Sequence, residues 1–302
     1  MADIVLTGCD GGNPLGFLAA LGAFRVVSGV EKSAAMHWSK NGRWRAVLTL
    51  DRGADALVDA IFGDAEKWRK RPELELAYKK KDKADKVVRD LKAPPEEFRN
   101  FAGRSPKPPF SRDEFEAFVA AYGSDVIVDG QGNTKPTAFH FTAGQQQFLG
   151  MVIDLVNGLQ REHLQEALFG PWKYESKLPI LRWDVSGERL YALSAVDPAR
   201  DKALGVPGAD WLAFQALPLF PSFPVGQRLG TTGFVGRGKD IAFRWPMWIE
   251  KASLHAIKSL LMANTGEWRA AERKLRGIDL VFESKVRRSD RGYGVFAAPE
   301  VV

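Results

Sequence analysis

The N-terminal residues combine a short alternating pattern with a longer helical one. Polar and apolar residues alternate weakly at 3–7, which predicts a strand, and the glycine-rich stretch 8–13 is typical of a turn. Apolar side chains at 17–24 recur at helical spacing. Asn13 is a favourable N-cap and Pro14 suits the first helical position. We therefore expect a strand, a turn and a buried helix, in this order.

Two aromatic, β-prone stretches, 35–39 and 43–50, flank Asn41 and Gly42. The Asn-Gly pair favours a tight turn between strands, so these stretches are predicted to form a hairpin. Helical patterns are predicted next at 55–62, in the charged segment 67–92 and around Phe98.

A proline-rich segment, 104–110, interrupts the helical patterns. Its prolines exclude a helix, because proline lacks a backbone N–H, and they favour an extended loop. We expect a domain boundary here. The chain would then consist of two packed α+β lobes, 1–103 and 111–302.

Beyond this loop, helices and strands do not alternate as they would in a parallel α/β fold. Ser111 and Glu114 have capping-box spacing and predict a helix over 111–122. Further helices are predicted at 144–160, 161–169, 210–217, 253–262 and 267–276. Strands are predicted at 181–184 with 189–194, as a hairpin, and at 240–245 and 280–286. The predicted class is α+β, with mixed helices and short antiparallel strands.

The distribution of charge singles out one segment. The chain has 43 Lys and Arg against 37 Asp and Glu, a net charge of +6. Segment 67–92 contains eleven basic and five acidic residues, and eleven minus five is six, so it holds the whole excess. Such a concentration favours contact with phosphate groups. The candidate contacts are Lys79, Lys80, Lys81, Lys83, Lys86 and Arg89, with Arg104 and Lys107 of the proline-rich segment.

A merely solvated helix would explain the same charges. Asp82 and Lys86, like Asp85 and Arg89, have the i,i+4 spacing of helical ion pairs. Both interpretations of the segment therefore stay open at the level of sequence.

A second basic cluster lies near the C-terminus. Lys285, Arg287, Arg288 and Arg291 precede Tyr293, which stands between two glycines. Cations beside an aromatic ring suit phosphate contact combined with base stacking. A mobile C-terminal loop is the alternative interpretation.

The glycine-rich stretch 233–239 matches the Gly-x-x-x-x-Gly-Lys part of a phosphate-binding loop. That loop requires Ser or Thr next and then a helix, whereas Asp240 and a strand-like pattern follow, so nucleotide hydrolysis is not expected. A hairpin tip carrying Arg237 and Lys239 is a candidate contact to a nucleic-acid backbone, since glycines permit close approach. Gln145, with the two glutamines after it, offers amides for base edges or for a helix cap.

Constellations of catalytic residues are largely missing from the sequence, and no cofactor is expected. The four histidines, His37, His140, His163 and His255, have no second ligand at metal spacing. Cys9 is the one cysteine, which excludes an intrachain disulfide, and without an identifiable base we read it as structural. Nine tryptophans beside apolar residues are expected to anchor the core or a partner interface.

The sequence also bears on location. The first residues lack a basic region followed by an apolar one, so no secretory signal is expected. The longest apolar stretches are far shorter than the roughly 18–20 residues of a membrane span. Together with the single cysteine, this predicts a cytoplasmic protein with no membrane partner.

Several blocks of sequence together carry a resemblance to a known family. They are 6–22 (LTGCDGGNPLGFLAALG), 139–145 (FHFTAGQ), 167–172 (ALFGPW), 181–184 (LRWD), 211–214 (WLAF) and 245–248 (WPMW). These blocks span most of the chain and resemble CRISPR-associated proteins of the type I-G group, formerly I-U. Within that group, the pattern resembles the large or signature subunit of a Cascade-type surveillance complex.

The resemblance implies an RNA-guided DNA-binding complex in which guide pairing reads sequence while the protein reads a short flanking motif and helps to open the duplex. Its implied partners are guide RNA, target DNA, the backbone subunits of the effector and a helicase-nuclease. Large subunits of other type I systems are usually longer and often end in a helical bundle, for which this chain leaves little room.

Our leading hypothesis is a non-catalytic, nucleic-acid-binding subunit of such a complex. A structural subunit that docks neighbours through its tryptophan-rich blocks, without touching DNA, is one alternative. Another is a metal-independent RNA endonuclease that uses His140 or His37 as acid and base.

Overall fold

Helices and small antiparallel sheets are mixed along the chain, which confirms the predicted α+β class. A computed structural model describes residues 1–80, 83–185, 204–263, 265–288 and 292–302. In these ranges no helix combines the length and the apolar character that a bilayer crossing requires.

A three-stranded antiparallel sheet opens the chain, in the order β1-β3-β2. Its strands are β1 (Ala2–Asp10), β2 (Ala35–Asn41) and β3 (Arg43–Leu50). The last two form the predicted hairpin, and Gly42 at the turn has a φ of 71°, which glycine adopts without strain. Helix α1 (Pro14–Val30) follows β1. The Asn13 side chain accepts a hydrogen bond from Leu15 N at 3.0 Å, which confirms the predicted cap.

The prediction of a helix in the charged segment is wrong for much of its length. The elements between β3 and the proline-rich loop are α2 (Ala54–Trp68), β4 (Tyr78–Lys80), β5 (Lys83–Val88) and α3 (Pro95–Ala102). Strands β4 and β5 form an antiparallel hairpin with Tyr78 opposite Val88. Both of these side chains are buried whereas Lys79 is exposed. A hairpin can present one apolar face to the core in this way, and three successive lysines could not share one face of a helix.

The proline-rich loop has no regular helix or strand, as predicted. After it come α4 (Arg112–Tyr122), β6 (Gly123–Val128) and β7 (Thr134–Pro136), and the two strands pair antiparallel. Ser111 Oγ accepts a hydrogen bond from Glu114 N at 3.3 Å, so the predicted N-cap of α4 is present.

Helix α5 (Phe148–Gly158) begins four residues later than the predicted start at Gly144. Gly144 has a φ of 64°, outside the helical region, and the glutamines after it belong to the loop. Two helices follow, α6 (Arg161–Phe169) and α7 (Pro207–Gln215). Of the predicted hairpin, residues 181–184 form no strand and residues 189–194 lie outside the described residues.

Helices α1 and α7 cross closely at the centre of the fold. A Cβ at Gly22 of α1 would stand only 1.7 Å from the Leu212 carbonyl oxygen of α7. Glycine is therefore required at this crossing, because the two backbones are in direct contact.

The C-terminal region consists of a small hairpin, a larger sheet and two helices. Its elements are β8 (Ser222–Val225), β9 (Arg228–Thr231), β10 (Phe234–Val235), β11 (Ala242–Trp248), α8 (Leu254–Met262), α9 (Ala270–Leu275), β12 (Ile278–Arg288), β13 (Gly294–Phe296) and β14 (Glu300–Val301). The larger sheet has the order β10-β11-β12-β13, with β14 also paired to β12. The strands predicted near 240–245 and 280–286 are confirmed as β11 and β12.

Aromatic side chains dominate the core. The buried tryptophans include Trp183, Trp211, Trp245 and Trp248. Leu74 and Phe115, which lie on opposite sides of the proline-rich loop in sequence, belong to the same hydrophobic cluster. The domain boundary at 104–110 stays a prediction.

Candidate nucleic-acid interface

The charged segment borders a cleft of about 820 Å³. One wall follows the end of α2 and contains Arg69, Lys70 and Arg71, and Arg89 stands just beyond β5. The other wall consists of the glutamine loop 145–147 and the first turns of α5. The floor and edges are completed by Leu74, Glu75, Ala77, Gly150, Met151, Ile153, Asp154 and Val156. The structure thus brings two separately noted sequence features, the basic segment and the glutamines, to one site.

Three of the cations at this cleft are exposed. Arg69, Lys70 and Arg89 are all solvent-accessible, and within the described part of the chain none of them has an ion-pair partner. Among the described residues no carboxylate is paired with these three charges, so a phosphate group could approach them without displacing one, and Glu75 and Asp154 line the same cleft.

Arg71 differs from its neighbours because the fold holds it. Its side chain is only 11% exposed and pairs with Glu73, at 3.1 Å, and with Glu114. The guanidinium carbon lies 4.7 Å from the centre of the Trp68 ring. Arg71 therefore supports the wall of the cleft more than it offers charge to a ligand.

This ion pair belongs to a larger buried network. Glu114 also pairs with Arg25 at 3.2 Å, and Arg25 donates to both the backbone and the side chain of Gln215. Burial lowers the pKa of Arg25 and raises that of Glu73. At Glu114, burial alone would raise the pKa, but Arg25 and Arg71 outweigh it and hold the pKa below its ordinary value. These charges stabilise the junction of α1, α4 and α7.

The glutamine loop is bound directly to the end of the charged segment. Gln147 Oε1 accepts a hydrogen bond from Arg89 N at 2.7 Å, and Gly150 N donates to Arg89 O at 3.0 Å. The first turn of α5 thereby fixes the backbone of Arg89, since both of its polar groups are engaged. Gln146 lines the cleft, and its Oε1 atom is shielded from solvent without a hydrogen-bond donor in the described structure.

His140 also helps to attach the start of α5 to the end of the charged segment. Its Nε2 atom lies 2.8 Å from Asp90 Oδ1 and 3.0 Å from Thr142 Oγ1, and all three side chains are buried. Asp90 Oδ1 also accepts from Phe148 N, at 3.3 Å, at the start of α5. Burial would raise the pKa of Asp90, but the hydrogen bonds from His140, Leu91 N and Phe148 N bring it below its ordinary value. The residue considered as a catalytic acid or base therefore holds Arg89 and α5 in place.

The second basic cluster lies at one end of the larger sheet. Lys285 is opposite Ala242, and Val286 N donates to Ile241 O at 2.9 Å. The residues just before β11, which include Arg237 and Lys239, are consequently neighbours of Arg287 and Arg288. These cations are exposed, and Arg291 lies outside the described residues.

The glycine-rich stretch forms a hairpin tip, as predicted. Strands β10 and β11 pair antiparallel, with Val235 opposite Ala242, and a 3₁₀ turn at Gly238–Asp240 joins them. Gly236 and Gly238 have φ of 76° and 57°. Because a strand follows this tip and no helix does, its backbone N–H groups are not arranged as in a phosphate-binding loop.

Tyr293 connects the end of the sheet to the glutamine loop. Its hydroxyl lies 3.6 Å from the position that a Cβ on Gly144 would take, and Gly294 N donates to Phe141 O at 3.0 Å. The Arg182 guanidinium carbon lies 4.7 Å from the centre of its ring. Residues 141–147 thus join the cleft to the second basic cluster, so the separate motifs adjoin one another.

The remaining candidates have less distinct surroundings. Arg104 pairs with Glu75 at 3.2 Å, and both side chains are largely exposed. Lys86 and Lys107 are exposed. The backbones of Lys80 and Lys83 lie in the β4–β5 hairpin, and Lys81 lies outside the described residues.

Sequence reasoning did not select Arg69, Lys70 or Met151 as contacts. The first two were counted in the charged segment, but nothing in their pattern separates them from Arg71. Met151 carried no signal, because an apolar residue of a helix reads as part of the core.

Other nucleophiles and possible ligands are poorly placed for chemistry. Cys9 is fully buried, and burial raises the pKa of its thiol to about 12. His37 is half-buried on β2, and burial lowers its pKa. Within the described ranges, no group of three His, Cys, Asp or Glu side chains could hold a metal ion.

No model of a known protein family matches the chain, and no curated protein matches it significantly.

Proposed function

We propose that this chain is a non-catalytic, nucleic-acid-binding protein and that its principal contact is the cleft lined by residues of the segment 69–77, by Arg89, and by the glutamine loop and α5. The observation that carries the proposal is a single cleft lined both by the exposed cations Arg69, Lys70 and Arg89 and by the amides of residues 145–147. Cations suit phosphate groups, and amides suit base edges.

The wider complex follows from the sequence resemblance. As a subunit of a type I-G CRISPR effector, the chain would contact target DNA beside the guide-paired region, read a flanking motif and assist duplex opening. Guide RNA, backbone subunits and a helicase-nuclease would be its partners, in the cytoplasm. The basic end of the larger sheet would supply a second contact, continuous with the cleft through residues 141–147.

A purely structural subunit that docks neighbours is the second candidate. Of the tryptophan-rich blocks expected to do so, Trp183, Trp211 and Trp245 are buried and Trp172 is half-buried. Trp172, with exposed apolar side chains such as those of Val126 on β6 and Phe223 on β8, would supply the docking surface.

A titration with charge-matched variants tests the proposal. Binding of labelled single-stranded and duplex oligonucleotides is measured by fluorescence anisotropy at several salt concentrations. The double variant Lys70→Ala/Arg89→Ala should weaken binding by about tenfold and reduce the slope of log K against log salt by about 2, since each lost phosphate contact removes about one unit.

The matched control is Lys258→Ala/Lys274→Ala, which also removes two positive charges. Lys258 on α8 and Lys274 on α9 do not line the cleft, so this variant should keep the wild-type slope. Equal losses of affinity in both variants would show that binding depends on net charge and not on the cleft. Undetectable binding by the wild type would refute the proposed function.

The lysines of the β4–β5 hairpin need their own variant. Replacing Lys79, Lys80, Lys81 and Lys83 by alanine should weaken binding and lower the salt slope if the hairpin contacts the ligand. Unchanged binding, measured on the chain alone and in the assembled complex, would assign these lysines to the solvated surface.

A further inference from the structure

The cleft has the dimensions of a site for separate bases. Its volume of about 820 Å³ lies within the range of roughly 300–1,000 Å³ that is typical of pockets for compact ligands. In a double helix the base faces are stacked and the pairing edges are occupied, so a cleft can contact base faces and pairing edges only after the bases leave the stack.

The walls of the cleft match the parts of a base that a duplex hides. Met151 and Ile153 on α5 are half-buried and give the cleft an apolar surface on which a base face can lie. Gln145 and Gln146 bring amide donors and acceptors to the same space, suited to pairing edges. A ligand that contacted the protein only through phosphates would use neither feature.

Gln146 adds an independent observation. Its Oε1 atom is shielded from water and lacks a donor within the described structure, and such an unsatisfied acceptor is unfavourable. The terminal torsion of a glutamine is soft, so the amide of Gln146, which lines the cleft, can change its orientation at little cost. An exocyclic amine of an unpaired base would then satisfy it.

The cations and the amides line the same cleft, and the backbone of Arg89 is hydrogen-bonded to Gln147. Arg69, Lys70 and Arg89 can hold phosphates while the bases contact Gln145 and Met151. Cations for the backbone beside surfaces for the bases are the usual combination in sites for single strands.

We infer that the ligand of the cleft is single-stranded nucleic acid, a few nucleotides of which enter with their bases unstacked against α5 and the glutamine loop. This inference rests on the proposed function and names the substrate class of the same site. RNA and DNA share the required phosphates and bases, and the test separates the two.

The test compares the full chain on four probes of one mixed sequence of about twelve nucleotides: single-stranded RNA, single-stranded DNA, the DNA duplex and the RNA duplex. Affinity is measured by fluorescence anisotropy at fixed salt. We expect at least one single strand to bind about tenfold more tightly than its duplex. A preference between the two single strands would identify the source of the ligand.

Two variants locate the preference. Gln145→Ala/Gln146→Ala should lower single-strand affinity by about five- to tenfold, because two hydrogen bonds to bases are lost. Duplex affinity should change less than twofold, because the variant keeps every charge. The control Gln131→Ala/Gln227→Ala removes two exposed amides outside the cleft and should leave both affinities unchanged.

The outcomes separate failure of the single-strand inference from failure of the proposed function. If no probe binds, the proposed function fails. If a duplex binds as tightly as the single strands, or if the glutamine variant weakens both equally, the single-strand inference is wrong while nucleic-acid binding stands.

Discussion

Arg69 and Arg71 are two residues apart and carry the same charge, yet they belong to different parts of the molecule. Arg71 is nearly buried, lies over Trp68 and pairs with Glu73 and Glu114. Arg69 is exposed at the cleft and has no ion-pair partner among the described residues. One charge stabilises the fold, and the other is available to a ligand.

The difference shows that a count of charges along a segment overstates what a ligand can reach. Arg71 contributes to the excess of residues 67–92, but its field is largely cancelled by neighbouring carboxylates. The cations that matter for binding are those with neither a carboxylate partner nor a buried position. Variants of the two classes should therefore affect different measurements, stability in one case and affinity in the other.

The largest effect is expected from Arg71→Ala. Removing this partner leaves the fully buried Glu73 without its cation, and breaking a buried pair typically costs about 3–5 kcal/mol. The free energy of unfolding, from urea denaturation, should fall by about that amount. Arg69→Ala is the control and should change stability by less than about 0.5 kcal/mol. Similar losses of stability in the two variants would contradict the different roles inferred for Arg69 and Arg71.

Asp210 is a buried carboxylate that, among the described residues, has no paired cation, in contrast to Glu73. Burial raises its pKa to about 8, although its Oδ1 accepts a hydrogen bond from Leu181 N at 2.7 Å. The folded protein therefore retains a proton between about pH 4 and pH 8 that the unfolded chain has released. This contribution to stability is complete below pH 4 and is lost as pH rises through 8.

Asp210→Asn should remove that loss, since asparagine keeps the oxygen acceptor and never ionises. Relative to the wild type, the variant should gain about 4 kcal/mol in unfolding free energy between pH 5 and pH 9. Denaturation curves at both pH values measure the difference. Parallel pH profiles for the two proteins would contradict a raised pKa.

The smallest effect is expected from Arg104→Ala. Arg104 pairs with Glu75 at the surface, and an exposed pair of this kind contributes about 0.2–1 kcal/mol. Nucleic-acid affinity should change by less than twofold, in contrast to Arg89→Ala. A loss as large as that of Arg89→Ala would place Arg104 among the contacts of the ligand.

The sequence predicts the local elements well where turn and cap residues mark their limits. Asn41 and Gly42 define the β2–β3 hairpin, and Asn13 and Ser111 cap the helices expected after them. These signals are local, because the residues that fix the backbone are adjacent in the chain.

The candidate site was only partly predictable. Gln145 and Arg89 were both selected, but nothing in the sequence indicates that the two regions meet through Gln147 Oε1 and Arg89 N. The pattern of the charged segment does not reveal the β4–β5 hairpin, because its apolar residues Tyr78 and Val88 are isolated among charged ones. These two residues face each other across the strands and stabilise the hairpin only once the core buries them.

Photo-crosslinking of bound nucleic acid, followed by mass spectrometry of the crosslinked peptides, shows whether nucleic acid occupies the cleft. We expect crosslinks within residues 67–92 and 143–154, which contain the lining of the cleft, and their loss in Lys70→Ala/Arg89→Ala at equal protein concentration. Crosslinks confined to the basic end of the larger sheet, or distributed over the surface without enrichment in these two ranges, would contradict this expectation.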